Sequence, residues 1–134
     1  MNKLPGHITF IQSSENISIV DVTAAEYIFS SIVLGTTHNT DYLREGTDVF
    51  ILFKETEVSL GKNLSGLISL RNRMKSVVMH IEKGIILTKV TMDFQGTPIT
   101  SIITTRSADR LLLAIGDDVE ALVKANEITL MPVG

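Results

Sequence analysis

Apolar residues alternate with polar ones, or run together in short blocks, over residues 7–12, 17–22, 28–34, 49–53 and 58–60. These blocks are rich in Ile, Val, Phe and Thr, and turn-forming residues separate them, so each is predicted to be a short strand. The second half repeats the series at 77–81, 87–94, 99–104, 119–123 and 128–130, and residues 93–98 (DFQGTP) supply a hairpin turn. One helix is predicted in each half. Residues 107–114 open on Ser107 as N-cap and stop before Gly116, and residues 37–44 stop before Gly46 in the same register. Five short strands with a helix between the third and fourth suit a Greek-key barrel of the OB type. The predicted fold is therefore all-β: two tandem small OB-like Greek-key β-barrels, each with one short helix.

The two halves are related in sequence. Residues 43–60 (LREGTDVFILFKETEVSL) align without a gap on 113–130 (LAIGDDVEALVKANEITL), with Leu, Gly, Asp, Val, Lys and Glu matching in place. A unit this long fits a duplicated barrel better than a solenoid, whose repeats are shorter and more numerous. The copies are bounded at 1–62 and 63–134, with 61–67 (GKNLSGL) as a small, polar linker. A copy of that size is marginal alone, so the two are expected to pack on each other, exchange a strand or draw on oligomerisation.

Composition narrows the class of protein. With 134 residues, 44% of them hydrophobic, there is material for a packed interior, and the absence of cysteine removes disulfides, thiolate metal sites and thiol nucleophiles. The opening residues MNKLPGHITF carry no long apolar run, so a soluble, cytoplasmic protein that does not enter a membrane is expected. A net charge of −3 with five Phe, two Tyr and no Trp argues against a nucleic-acid surface and requires any anion to be met by a local pocket. His7, His38 and His80 lack metal-ligand spacing, and no G-x-S-x-G, P-loop or G-x-G-x-x-G is present, so neither a metal site nor an enzyme is expected.

Hydrogen-bond donors gather at three places in the second copy: Ser69, Arg71 and Asn72 before its first strand, Thr104 and Ser107 at the start of its helix, and Lys124 with Ala125 after its fourth strand. In a closed barrel, strand ends and a helix start can share one rim, where hydroxyls, cationic side chains and backbone N–H groups favour an anion. The plain alternative stays open at this point. Ser107 would then be only a cap, Arg71 a linker residue paired with a surface carboxylate, and Lys124 a solvated strand end.

The strings GLISLRNRMKSVV and SIITTRSADRLLLAIGDDVEALVKANEITL resemble the molbindin, or Mop, family of small OB-like modules that bind molybdate and tungstate. The S-x-R-N signature, the threonine and serine segment and the V-x-A-L-V-K-A strand follow in the family's order, and the repeat extends the likeness to a di-Mop arrangement. The resemblance implies a non-enzymatic protein that stores, buffers or senses molybdate or tungstate in the cytoplasm. It implies no cofactor, a metal present only within its oxyanion, and a homo-oligomer, dimer or trimer, with anions bound between subunits. Ser69, Arg71, Asn72, Thr104, Ser107, Lys124 and Ala125 are the implied oxyanion-binding residues. Such a dianion accepts hydrogen bonds and donates none, so the cage must be built of donors.

The first copy departs from this pattern. Met1 stands where Arg71 would be, Leu34 replaces Thr104 and Glu55 replaces Ala125. A carboxylate about 4 Å from the anion costs several kcal/mol at intermediate dielectric, so this copy is expected to hold no equivalent site of its own. Thr37 and Lys54 remain as possible contributors to a composite site. The competing reading is an OB-fold module that binds single-stranded nucleic acid, or a regulatory interaction module of a molybdate transporter or regulator.

Overall fold

The computed structural model describes residues 1–134. Ten strands form, in chain order β1 (Asn2–Ser14), β2 (Ile17–Ala24), β3 (Tyr27–Leu34), β4 (Asp48–Phe53), β5 (Ser59–Gly61), β6 (Asn72–Lys83), β7 (Leu87–Phe94), β8 (Thr97–Thr104), β9 (Asp118–Val123) and β10 (Thr129–Pro132). The one α-helix, α1, spans Thr105–Arg110, and short 3₁₀ turns occupy Glu55–Glu57 and Ala125–Glu127. Every strand predicted from alternation is present, and the chain has the tandem OB-like fold. β1 and β6 run well beyond their predicted starts because their first residues alternate buried and exposed, although the inward positions include Asn2, Asn72 and Ser76 as well as apolar groups.

Two compact units are resolved, and they do not follow the halves of the sequence. The first contains most of residues 1–53 together with 124–134, and its five-stranded sheet has the order β10-β4-β1-β2-β3. The second contains 54–123, with the order β5-β9-β6-β7-β8. Each copy has thus given its fifth strand to the other's sheet. β10 pairs antiparallel with β4 through Leu130↔Ile51, and β5 pairs antiparallel with β9 through Leu60↔Ala121.

Each unit has its own apolar interior. In the first, Leu4, Ile8, Val20, Val22, Phe29, Ile51 and Phe53 are buried, and Leu130 joins them from the incoming strand. In the second, Met74, Val78, Val90, Met92, Phe94, Ile99 and Ala121 are buried, and Val58 arrives just ahead of β5. Buried hydroxyls tie the incoming segments down. Ser31 Oγ donates to the Ile128 carbonyl at 2.9 Å in the first unit, and Ser101 Oγ donates to the Val58 carbonyl at 2.7 Å in the second.

The helices require a correction. The predicted helix at 37–44 is absent, and residues 36–47 instead make a series of turns. Its short polar side chains bond locally and compete with helical hydrogen bonds: Thr36 N–H donates to Asn39 Oδ1 at 2.8 Å, Thr40 Oγ1 donates to the same oxygen at 3.0 Å, and His38 N–H donates to Thr36 Oγ1 at 3.3 Å. The second helix does form, but Thr104 is its N-cap, accepting from Ser107 N–H at 3.1 Å. Ser107 is the third helical residue, and the helix ends at Arg110.

Candidate functional site

The predicted donors divide between the two units. Ser69, Arg71, Asn72, Thr104, Ser107 and Lys54 belong to the second, whereas Lys124, Ala125 and Thr37 belong to the first.

In the second unit, Thr104 ends β8 and Ser107 sits on the first turn of α1, both exposed. Thr104 Oγ1 accepts from Ser107 N–H and donates to Ser107 Oγ at 2.9 Å. That direction leaves the Ser107 hydroxyl proton for an outside acceptor. The helix start is pinned from below by buried Thr105, whose N–H donates to the Ile86 carbonyl at 2.8 Å and whose Oγ1 donates to the Gly84 carbonyl at 2.9 Å. Thr105 Oγ1 also lies 2.9 Å from Thr88 Oγ1. At six residues the helix carries only a small dipole, so any attraction for an anion here would rest mainly on hydroxyls and cationic side chains.

Ser69 and Arg71 lie exposed in the segment leading into β6. Asn72 is different: it is 1% exposed, and its Nδ2 donates to the Val123 carbonyl at 3.0 Å. That bond ties β6 to β9. Asn2, at the equivalent place in the first copy, is bonded differently, to β8 of the other sheet. Its Nδ2 donates to the Thr100 carbonyl and its Oδ1 accepts from Thr100 N–H, both at 2.8 Å. Asn2 and Asn72 occupy the same place in the two copies, yet their side chains bond different strands, so the repeat alone does not reveal the Asn2 contact.

In the first unit, Lys124 is exposed at the head of the 3₁₀ turn that Ala125 opens, so the Ala125 N–H has no acceptor inside that turn. Thr37 is half-buried, and its carbonyl accepts from Arg44 Nη1 at 2.6 Å. Leu34, at the position of Thr104, is 82% exposed and offers no hydrogen bond. In the second unit the exposed Lys54 heads a matching 3₁₀ turn, where its N–H donates to Glu57 Oε1 at 2.9 Å.

A separate cavity of about 410 Å³ lies in the second unit, lined among others by Leu64, Lys75, Val77, Asp93, Asp118 and Glu120. It contains none of the predicted donors. Its carboxylates would repel a dianion, so the cavity and the candidate oxyanion chemistry are distinct.

Comparison with known proteins decides the family. The TOBE domain matches residues 68–130. Molybdenum-pterin-binding protein 1 of Clostridium pasteurianum is 32% identical over 65 residues, which are 48% of this chain and 96% of that protein. The chain belongs to the molbindin, or Mop, family. Molybdenum import ATP-binding protein ModC of Brucella abortus is 36% identical over 84 residues, or 62% of this chain, and the match spans only 23% of that longer protein. Among solved structures, the cytoplasmic molybdate-binding protein ModG, with molybdate bound, matches with a TM-score of 0.90 at 27% identity, over 97% of this chain and 94% of ModG. The molbindin fold therefore extends through both units, including the half whose sequence has drifted furthest from the Mop signature.

Proposed function

We propose that this molbindin is a non-enzymatic oxyanion-binding protein that takes up molybdate or tungstate in the cytoplasm and serves its storage, homeostasis or sensing. The observation that carries the reading is the likeness to molybdate-bound ModG along 97% of the chain. The donor chemistry supports it, because Ser69, Arg71, Thr104, Ser107 and Lys124 are all exposed and bring hydroxyl or cationic hydrogens to a guest that can only accept. The Ala125 N–H adds a backbone donor, and Asn72 contributes through the backbone it holds in place. No cofactor is needed.

The cage is completed in a homo-oligomer, dimer or trimer, where Lys124 and Ala125 of one subunit meet the hydroxyls of another, and Thr37 and Lys54 contribute to composite pockets. Exposed apolar rows on the first unit support assembly. Ile17 pairs with Leu34 and Ile19 with Ile32 across β2 and β3, and all four are at least 39% exposed. The chain has no helix long and apolar enough to cross a membrane.

Isothermal titration with molybdate, tungstate and sulfate tests the proposal. Tight binding of the first two and weak binding of the smaller sulfate is expected, with Arg71→Ala and Ser107→Ala each weakening uptake. Absence of heat with any of the three removes the reading. A tungstate-soaked crystal would then show which chains line each occupied pocket.

A further inference from the structure

We propose that Lys62, contributed by the first sequence copy, is a positioning residue for the Thr104–Ser107 donor pair; the proposal rests on the oxyanion reading of that pair. Strand exchange brings Lys62 into the second unit directly behind β5, where its side chain is 24% exposed. Its ammonium donates to the Leu111 carbonyl at 3.2 Å, the Leu112 carbonyl at 3.0 Å and Asp117 Oδ2 at 2.9 Å. Leu111 is the C-cap of α1 and Leu112 the residue after it, so the ammonium sits at the C-terminal end of the helix, where a cationic side chain can bond the last carbonyls. Asp117 Oδ2 also accepts from Ala114 N–H at 2.8 Å, which closes the loop between α1 and β9 around the lysine.

A continuous path leads from Lys62 to the donors. Leu111 presents its carbonyl to Lys62 and its N–H to the Ser107 carbonyl at 3.0 Å, so a single residue, Leu111, links the lysine to the serine backbone. Thr105 pins the other end of the same six-residue helix. With both ends fixed, the Ser107 hydroxyl has a defined direction, and less entropy is lost when it engages a ligand. The first unit offers no counterpart. Pro132 stands at the position of Lys62, Thr47 at that of Asp117 and Gly35 at that of Thr105, and there the segment is turns. The copy whose own donor set is incomplete thus acts on the other copy's site through the strand it lends.

The test compares Lys62→Met and Lys62→Arg in the full chain by molybdate titration, thermal melting and amide hydrogen exchange. Lys62→Met is expected to weaken molybdate binding roughly fivefold at nearly unchanged melting temperature, and to speed exchange at the Leu111 and Leu112 amides. Lys62→Arg is expected to restore most of the affinity. Wild-type affinity with unchanged exchange at Leu111 in Lys62→Met overturns the proposal, as does an affinity loss that Lys62→Arg shares in full. If the parent chain binds no molybdate, the oxyanion reading falls, and exchange at Leu111 alone decides whether Lys62 holds the helix. Should Lys62→Met fold poorly, Asp117→Ala, which removes the shared acceptor and leaves the lysine, is expected to shift exchange and affinity in the same direction by less; no shift overturns the proposal.

Discussion

The segment between the third and fourth strands of each copy has two different solutions. Residues 105–117 make a short helix and a loop held by Thr105 and Lys62, while residues 35–47 make turns held by asparagine and threonine side chains. The apolar anchor differs too. Leu43 is 0% exposed in the core of the first unit, whereas Leu113 at the equivalent position is only half-buried. One framework therefore tolerates two ways of fixing the same connection: by burying a leucine, or by bonding both ends of a helix. Only the second solution places two hydroxyls side by side at the surface.

If that contrast is right, the largest effect comes from the leucines. Leu43→Ala should cost about 3 kcal/mol in chemical denaturation, against about 1 kcal/mol for Leu113→Ala; equal losses would erase the distinction. Next is Thr105→Val, which keeps the shape but strands the Gly84 carbonyl and the Thr88 hydroxyl, and about 1–2 kcal/mol should be lost. The position equivalent to Thr105 in the first copy is already glycine.

The hairpins sharpen the comparison with an opposite sign. Between β2 and β3, Ala25 and Glu26 adopt φ of 50° and 68°, while Gln95 and Gly96 do so between β7 and β8 at 49° and 89°. Only the second hairpin has the glycine that this turn favours. Glu26→Gly should raise stability by about 0.5–1 kcal/mol, read from the denaturation midpoint, and Gly96→Glu should lower it.

The smallest effect is in acid. The Lys62 ammonium, and then the Ala114 N–H, hold the Asp117 carboxyl below its ordinary value of 3.8. A depressed carboxyl adds stability that is present above the unfolded value and fades as pH falls through the folded one. Melting curves below pH 3.8 should therefore fall less steeply for Asp117→Asn than for the parent chain, with the variant slightly less stable at neutral pH. The first unit, with Thr47 in place of Asp117, has no such dependence to lose.

Much of this architecture was legible in the residues. Strand alternation is a strong signal because one-sided burial repeats every second residue, and it located all ten strands. The helix at 37–44 misled because Gly46 and Gly116 share a register, and the matching stop signal concealed how strongly Thr36, Asn39 and Thr40 bond among themselves. The cap was displaced from Ser107 to Thr104 because both carry a hydroxyl suited to the role and only the backbone angles choose between them. The strand-holding bond of Asn72 could not be read from the residues, because an amide can serve a guest or a neighbouring strand equally well. The structure shows its side chain 1% exposed and bonded to the Val123 carbonyl.

By itself the sequence determined the duplication, the strand order along the chain and the donor character of the Ser69–Arg71 and Thr104–Ser107 segments, since these follow from periodicity and side-chain chemistry that travel with each residue. Tertiary structure alone decided which sheet each fifth strand completes. The β5 and β10 strands are three and four residues long, and their alternation fits either partner equally, so only packing of the whole chain separates the two pairings. That choice carries Lys62 to the helix of the other copy.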